Sequence, residues 1–217
     1  MIVVIQCAAR KQRDAGHMIA PDGRPVMFVA NPKMMLFNDG RIYARPDDYA
    51  GGGKSWRQLV AEYNKTPDYN PFRLCPACVL YERGVYRRLV GRFGMSNVYV
   101  LSAGWGLIPA DFLTPNYDIT FSANVEPYKR RLADDMYDDF RMLPRDRKDD
   151  VVFLGGKDYL PLFYKLTDGV ASRRVVFYNS RDIPRADRCK FRRFDTTTRT
   201  NWHYACAEAL IDGSITI

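Results

Sequence analysis

The sequence has few of the residues on which many hydrolases depend. Its 217 residues include only two histidines, His17 and His203, and five cysteines. A catalytic triad would have to use one of these histidines, and no Gly-x-Ser-x-Gly elbow accompanies either of them. We therefore do not expect serine hydrolysis. The low and odd number of cysteines is typical of a reducing compartment, which predicts a cytoplasmic protein.

Long apolar runs and the common nucleotide-binding motifs are also missing. No run approaches the roughly 18–20 apolar residues of a membrane span, which excludes an integral membrane protein. The apolar run in Met1–Lys11 has no basic leader, so we expect a buried first strand and not a signal peptide. The turn Gln6–Arg13 lacks the spacing of a P-loop and of a dinucleotide site, so we expect no nucleotide cofactor.

Positive charge, in contrast, is abundant and concentrated. The chain has 33 Lys and Arg against 25 Asp and Glu, a formal net charge of +8. Residues 173–199 hold nine basic residues against three acidic ones, which gives this segment a net charge of +6. Such concentration is typical of proteins that bind a phosphate backbone, although a solvated basic surface is the alternative. We favour a nucleic-acid partner.

Four short apolar runs alternate with amphipathic segments. The runs predict strands at Ile2–Gln6, Val98–Leu101, Val151–Leu154 and Val175–Tyr178. Because these runs are apolar throughout, we expect a parallel sheet that is covered on both faces. Ligands of such sheets bind beyond the carboxyl ends of the strands. The turns that follow the strands are the candidate sites: Gln6–Arg13, Ser102–Asp118, Gly155–Tyr159 and Asn179–Arg181.

The remaining periodic segments predict helices and one insertion. Helices are expected from Cys78, where Leu80, Tyr81, Val85, Leu89 and Val90 share a face, and at Glu126–Leu143, Asp158–Leu166 and Trp202–Ile211, the last capped by Asn201. Residues 18–72 differ, with six prolines and a Gly-Gly-Gly run. They predict two hairpin strands, Val26–Ala30 and Arg41–Ala44, and a helix at Ser55–Tyr63 with Ser55 as its N-cap. We interpret residues 18–72 as a subdomain inserted into a single α/β domain spanning residues 1–217.

The segment Leu101–Asp118 has the richest chemistry. Gly104 allows a ligand to approach the backbone. Asn116 offers an amide that can pair with a base edge, Tyr117 a stacking face and Asp118 a carboxylate, a trio that suits a flipped nucleobase and a cationic sugar. The alternative is a structural loop in which Tyr117 belongs to the core and Asp118 caps a turn.

Cys75 and Cys78 have the spacing of metal ligands. A structural zinc needs four ligands, and no second cysteine pair at this spacing is present. His203 and Cys206, three residues apart on a predicted helix, or Cys189 would have to complete such a site. We favour reduced thiols and expect neither a metal nor another cofactor.

Three of the candidate turns carry a family resemblance. Val-Tyr-Val-Leu-Ser-Ala-Gly-Trp-Gly-Leu-Ile-Pro, followed by Pro-Asn-Tyr-Asp, resembles the family of the peroxide-stress protein YaaA and the related domain attached to archaeosine synthases and transglycosylases. Cys7–Lys11 is similar to the small, basic turn of that group, and Gly155–Tyr159 also fits. The resemblance covers roughly residues 1–14 and 78–180.

This group is similar in architecture to the uracil-DNA glycosylase superfamily. The resemblance implies a three-layer α/β/α sandwich with a four-stranded, mainly parallel sheet, and it implies nucleic-acid binding. Uracil-DNA glycosylases carry Gly-Gln-Asp-Pro-Tyr after strand one and His-Pro-Ser after strand four. Here Gln6 has no following Asp, and Asn179–Arg181 stands in place of the second motif, so we do not expect uracil as the substrate.

The leading hypothesis is a DNA glycosylase that excises a modified base, such as glucosylated hydroxymethylcytosine, in DNA repair or phage defence. Its predicted catalytic residues are Asp118, Asn116 and Gln6. Its predicted base-binding residues are Tyr117, Trp105, Ser102, Gly104 and Cys7. Its predicted phosphate contacts are Arg10, Lys11, Lys157, Arg181 and Arg199. The alternatives are a non-catalytic DNA-binding stress-response protein and an enzyme that processes nucleosides or nucleotides.

Overall fold

The architecture comes from a computed structural model, which describes residues 1–35, 38–198 and 200–217. The strands are β1 (Ile2–Gln6), β2 (Met18–Ile19), β3 (Pro25–Val29), β4 (Ile42–Ala44), β5 (Tyr49–Gly51), β6 (Lys54–Ser55), β7 (Cys75–Pro76), β8 (Val98–Ser102), β9 (Gly106–Pro109), β10 (Leu113–Thr114), β11 (Tyr117–Asp118), β12 (Phe140–Arg141), β13 (Val151–Leu154), β14 (Arg174–Tyr178) and β15 (Cys189–Arg193). The helices are α1 (Trp56–Tyr63), α2 (Ala77–Leu80), α3 (Val85–Phe93), α4 (Leu160–Thr167) and α5 (Trp202–Ile211). In the described part of the chain, none of them has the length and apolarity that crossing a bilayer requires.

The fold is mixed α/β, with a central sheet in the order β12-β9-β8-β1-β13-β14-β15. The four predicted strands form its centre, β8-β1-β13-β14, and all of them run parallel. The predicted number of four strands is wrong, because β9 and β12 extend one edge and β15 extends the other. The additional strands gave little apolar signal: β9 contains Gly106 and Pro109, β12 has two residues, and β15 is largely basic.

Two predictions of helix and strand pairing need correction. The segment Glu126–Leu143 is not a helix, since it forms a 3-10 turn at Pro127–Lys129, a loop and β12. Part of its backbone instead pairs with the segment at Thr120, where the Arg131 amide donates to the Thr120 carbonyl. The predicted hairpin in residues 18–72 is also wrong, because β3 and β4 run parallel to each other.

The helix predicted from Cys78 is interrupted, and it consists of α2 and α3. α4 and α5 form where they are predicted, although the side chain of Asn201 makes no capping hydrogen bond. α1 begins as predicted, with a capping box formed by Ser55 and Gln58. α3 packs against α5 and against β1 and β8.

Residues 18–72 share the hydrophobic core of the central sheet. Phe28 of β3 is fully buried, and its ring lies 5.0 Å from that of Trp105 and 6.0 Å from that of Trp56 in α1. β3 also pairs in parallel with β11, where Val29 lies opposite Asp118. The insertion therefore helps to fix the position of Asp118.

Candidate functional site

A cavity of about 610 Å³ opens at the carboxyl edge of the central sheet. Its wall consists of the turns after β1, β13 and β14, the segment that begins at Asp118, and the start of α5. From β1 the chain crosses to β8 on one side, whereas from β13 it crosses to β14 on the other side. The cavity thus lies at the switch point between β1 and β13, where open α/β sheets bind their ligands.

The carboxylate of Asp118 lies on the wall of this cavity. Lys129 approaches it closely, with 2.9 Å between Nζ and Oδ2, and Lys129 also lies 3.3 Å from Glu126. Burial alone would lower the pKa of Lys129, but its contacts with Asp118 and Glu126 raise that pKa above its ordinary value. The ion pair orients the carboxylate, and the Asp118 side chain stays about one-third exposed, accessible to a ligand.

Gln6 connects two turns of the cavity. Its side-chain oxygen accepts a hydrogen bond of 2.6 Å from the amide of Gly156, and its carbonyl accepts one of 2.8 Å from the hydroxyl of Tyr86. Cys7 follows on the cavity wall, with its Sγ 3.2 Å from the hydroxyl of Tyr159. The structure therefore brings Gln6, Cys7 and Asp118 to the same cavity.

The turn Ser102–Gly106 lies behind the cavity, in the core. The Oγ of Ser102 accepts hydrogen bonds from the amides of Gly104 and Trp105 and donates one of 2.9 Å to the hydroxyl of Tyr117. Ser102 and Trp105 are completely buried, and Tyr117 is 1% exposed. Of the five predicted base-binding residues, the structure places only Cys7 on the cavity wall. The alternative interpretation of this segment, with Tyr117 in the core, describes the observed packing.

Two other predicted residues also lie away from the cavity wall. The backbone N–H of Asn116 donates a hydrogen bond of 2.8 Å to the carbonyl of Gly16. Lys11 lies over the ring of Tyr117, 4.0 Å from the centroid, and burial lowers its pKa.

Three of the remaining predicted phosphate contacts are at the surface. Arg10, Lys157 and Arg181 are exposed, and Lys157 also lines the cavity. Arg199 lies outside the described residues.

The loop that joins β14 to β15 is basic and borders the cavity. Ser180 and Pro184 line the cavity at the start of this loop. Several basic residues of the region are occupied: Arg173 pairs with Asp150, Arg193 pairs with Asp195, and Arg174 donates to the carbonyl of Asp187. Four others are exposed and form no ion pair within the part of the chain that the structure describes, namely Arg181, Arg185, Arg188 and Lys190.

The cavity also contains polar residues that were not predicted as site residues. Asp158 and Asn179 belong to turns that the strand pattern had indicated, and they line the cavity beside Tyr178 and His203. His203 is 3% exposed, and its Nε2 has no hydrogen-bond partner among the described residues. Burial, with a smaller contribution from the charge of Arg83, lowers the pKa of His203 to about 4. A histidine in the first turn of a largely apolar helix that begins at Trp202 is the signal that could have indicated it.

His203 should make the stability of the protein depend on pH. A pKa of about 4 in the folded state and 6.5 in the unfolded chain means that the unfolded state binds more protons between these values. Stability conferred by the neutral imidazole is complete above pH 6.5, declines as the pH falls towards 4, and differs by about 3 kcal/mol over this window. Urea unfolding of wild type and His203→Gln at pH 7 and pH 4.5 measures this difference. A parallel loss of stability in both proteins would contradict the assignment.

The two cysteines with metal-ligand spacing are free thiols. Cys75 lies on β7 and Cys78 on α2, and burial raises the pKa of both. Within residues 1–35, 38–198 and 200–217, no group of three or more His, Cys, Asp or Glu side chains is arranged to hold a metal ion.

Comparison with known proteins gives no family assignment. The chain matches no family model, and no curated protein and no solved structure shows significant similarity to it. The structure therefore defines the class by itself, as a mixed α/β protein with a mostly parallel seven-stranded sheet and a ligand-sized cavity at its switch point.

Proposed function

We propose that the protein is a cytoplasmic DNA glycosylase that excises a modified base during DNA repair or phage defence. The observation that carries this proposal is the position of Asp118, whose oriented carboxylate lines a cavity bordered by a loop in which Arg181 and Arg185 are exposed and form no ion pair with the described residues. A carboxylate suits the reaction centre, and unpaired cations suit the phosphates on either side of an extruded nucleotide.

The reaction develops positive charge on the deoxyribose as the N-glycosidic bond breaks. A carboxylate close to the sugar stabilises that charge and can orient the attacking water. Asp118 would take this role. Asn179, on the opposite side of the sheet's switch point from Gln6, would offer its side-chain oxygen to the edge of the base, because its side-chain nitrogen donates to the carbonyl of Thr198 at 3.2 Å. The cavity volume of about 610 Å³ lies within the range of small-molecule sites, and it favours a base with a bulky substituent such as glucosylated hydroxymethylcytosine.

The order of the strands supports the relation to the uracil-DNA glycosylase superfamily that the sequence motifs imply. The crossover from β1 to β8 includes α3, and the crossover from β13 to β14 includes α4. These two crossovers lead in opposite directions across the sheet. If both crossovers have the usual right hand, α3 and α4 cover opposite faces of the sheet. Such an arrangement is a three-layer sandwich, here with seven strands where the resemblance implies four.

A strand-scission assay tests the proposal. The purified protein is incubated with plain, uracil-containing and glucosyl-hydroxymethylcytosine DNA, and alkali then cleaves any abasic site. We expect scission of the glucosylated substrate and none of the plain DNA. Salt-sensitive binding without scission of any substrate would contradict glycosylase activity and favour the non-catalytic DNA-binding protein.

The basic loop should determine how strongly DNA affinity depends on salt. Each phosphate contact contributes about 0.9 to the slope of log K against log salt concentration for duplex DNA. Replacing both Arg181 and Arg185 by Gln is therefore expected to reduce the magnitude of that slope by about 2 and to weaken binding to all sequences alike. Fluorescence anisotropy of a labelled duplex between 50 and 200 mM salt (the range over which such contacts weaken) measures the slope.

Arg24→Gln is the matched control, because Arg24 is exposed but paired with Asp22 in the insertion. An unchanged slope in the double variant would show that the loop does not contact phosphates.

A further inference from the structure

The N-terminus of α5 forms one wall of the cavity, where residues 200–204 all line it. α5 begins at Trp202, and the side chain of Asn201, the residue before it, makes no capping hydrogen bond. The first turn contains no acidic residue. Among the described residues, no carbonyl accepts a hydrogen bond from the backbone N–H of Trp202 or His203. The positive end of the helix dipole therefore meets the cavity without a compensating group.

His203 is a second, independent indication of a ligand at this end of the cavity. It lines the cavity and is 3% exposed, and its Nε2 has no hydrogen-bond partner in the part of the chain that the structure describes. Buried polar atoms normally have partners, because leaving one unpaired is costly. A neutral imidazole has one N–H donor. A ligand oxygen that accepts from the imidazole and from the helix amides would satisfy all of these groups.

The charges around this end favour an anion. Lys157 lines the cavity from the turn after β13 and is exposed. The guanidinium of Arg83 lies over the ring of Tyr204, 4.4 Å from its centroid, and Tyr204 belongs to the same first turn of α5. Two positively charged side chains thus accompany the helix N-terminus.

The carboxylates of the cavity belong to other elements. Asp118 is paired with Lys129, with 2.9 Å between the two groups. Asp158 lies in the first turn of the short 3-10 helix Lys157–Tyr159, before α4. The start of α4 therefore has its own acidic residue, whereas the start of α5 has none.

We propose that the N-terminus of α5 is a phosphate-binding subsite, in which the backbone amides of Trp202 and His203 and the imidazole of His203 hold one phosphate group of a nucleotide. Helix N-termini bind phosphate because their free amides point at it and the dipole favours negative charge. The cavity of about 610 Å³ has the size of a small-molecule site, so the phosphate is part of a larger ligand. Tyr178 and Asn179, which also line the cavity, offer a ring and a side-chain oxygen to its base.

This subsite goes beyond the proposed function, which assigns the phosphate contacts to the basic loop. The phosphate could be a diester of the DNA backbone or the terminal group of a free nucleotide, and both have the same anionic oxygens.

Amide NMR spectra of the full-length protein test the proposal, with inorganic phosphate as the first probe. We expect the amide signals of Trp202 and His203 to shift with phosphate concentration and to reach a plateau. Deoxycytidine monophosphate should bind more tightly than deoxycytidine by on the order of tenfold, because only the nucleotide carries the anion. Shifts confined to other parts of the chain, or equal affinities for the two compounds, would overturn the proposal.

Asn201→Asp tests the helix N-terminus directly, because it places a carboxylate where the phosphate would bind. Asn201 is exposed and has a φ of 59°, which aspartate also tolerates. We expect phosphate affinity to fall by on the order of tenfold, while the acidic residue stabilises the helix. His203→Phe, which keeps a ring but removes the N–H, should also weaken phosphate binding.

Asn38→Asp is the matched control for the change in net charge, since Asn38 is exposed in the insertion and does not line the cavity. It should bind phosphate as wild type does. Equal phosphate affinity in Asn201→Asp and Asn38→Asp would contradict the subsite.

Competition identifies the source of the phosphate. Displacement of inorganic phosphate by a single-stranded oligonucleotide would assign the subsite to a backbone diester, and displacement by deoxycytidine monophosphate alone would assign it to a free nucleotide. Displacement by neither would mean an adventitious ion only and would overturn the proposal. None of these measurements breaks a bond, so their outcome is independent of whether the protein excises a base.

Discussion

Replacing Asp118 by Asn is expected to slow base release by on the order of 10²–10⁴-fold, the usual contribution of a positioned acid–base or charge-stabilising group. The amide has nearly the shape of the carboxylate but no negative charge to stabilise the cationic sugar. DNA affinity should stay close to that of wild type, because the phosphate contacts lie on the basic loop. Single-turnover base release and anisotropy on the same substrate measure the two quantities.

The stability of the protein should change little in this variant. The ion pair between Asp118 and Lys129 is partly exposed, and pairs of that kind contribute about 0–1 kcal/mol. A loss of activity in Asp118→Asn would therefore not reflect unfolding, which circular dichroism would verify. Glu126→Gln is the matched control, since Glu126 contacts the same lysine but is exposed and does not line the cavity. Equal rates in wild type and Asp118→Asn would mean that Asp118 serves only to bind Lys129.

The centre of the sheet was predictable because its strands carry their own signal. β1 and β13 have the predicted limits, since every residue of β13 and nearly every residue of β1 is buried and apolar. β15 carries no such signal: it is a half-exposed edge strand with Lys190, Arg192 and Arg193. β15 forms because it pairs with β14, and no pattern in the local sequence of β15 indicates that tertiary contact.

The candidate site was predictable only where the parallel sheet determines it. Gln6 is the last residue of β1 and Gly156 follows β13, the adjacent parallel strand, so their hydrogen bond of 2.6 Å follows from the topology. Asp118 reaches the cavity for another reason, because β11 pairs with β3 of the insertion. The glycine-rich and aromatic turn Ser102–Gly106 could face either a ligand or the core, and the local sequence does not distinguish these two positions. Trp105 faces the core because Phe28 and Phe140 pack against its ring.

The turn Ser102–Gly106 also depends on two buried arginines that no local pattern indicated. Arg57 of α1 donates to the carbonyls of Gly104 and Trp105 and pairs with Asp47. Arg131 donates to the carbonyl of Ala103 and forms two hydrogen bonds of 2.7 Å with Asp139. Both arginines come from segments outside the central strands, and they satisfy the buried carbonyls of Ala103 and Gly104, which have no other hydrogen-bond partner among the described residues.

The pair formed by Arg131 and Asp139 is expected to give the largest loss of stability. Their side chains are 3% and 1% exposed. Asp139→Ala leaves the guanidinium of Arg131 buried without its carboxylate, and removal of one partner from a buried ion pair costs about 3–5 kcal/mol. For a chain of this size, that cost corresponds to a decrease in Tm of roughly 6–20 °C. Differential scanning fluorimetry measures the decrease in Tm, and urea unfolding measures the loss in the free energy of unfolding.

Asp22→Ala is the control for this prediction, because its pair with Arg24 is exposed and should contribute less than about 1 kcal/mol. Replacing both partners, as in Arg131→Met with Asp139→Leu, should recover part of the loss, since neither charge of this pair then remains buried. The double variant still lacks the hydrogen bond to Ala103. Because Ser102 in the same turn bonds to Tyr117, next to Asp118, this variant should lose base-release activity even where its stability is regained. A free energy of unfolding of Asp139→Ala within 1 kcal/mol of that of wild type would contradict the role of the ion pair in holding the turn.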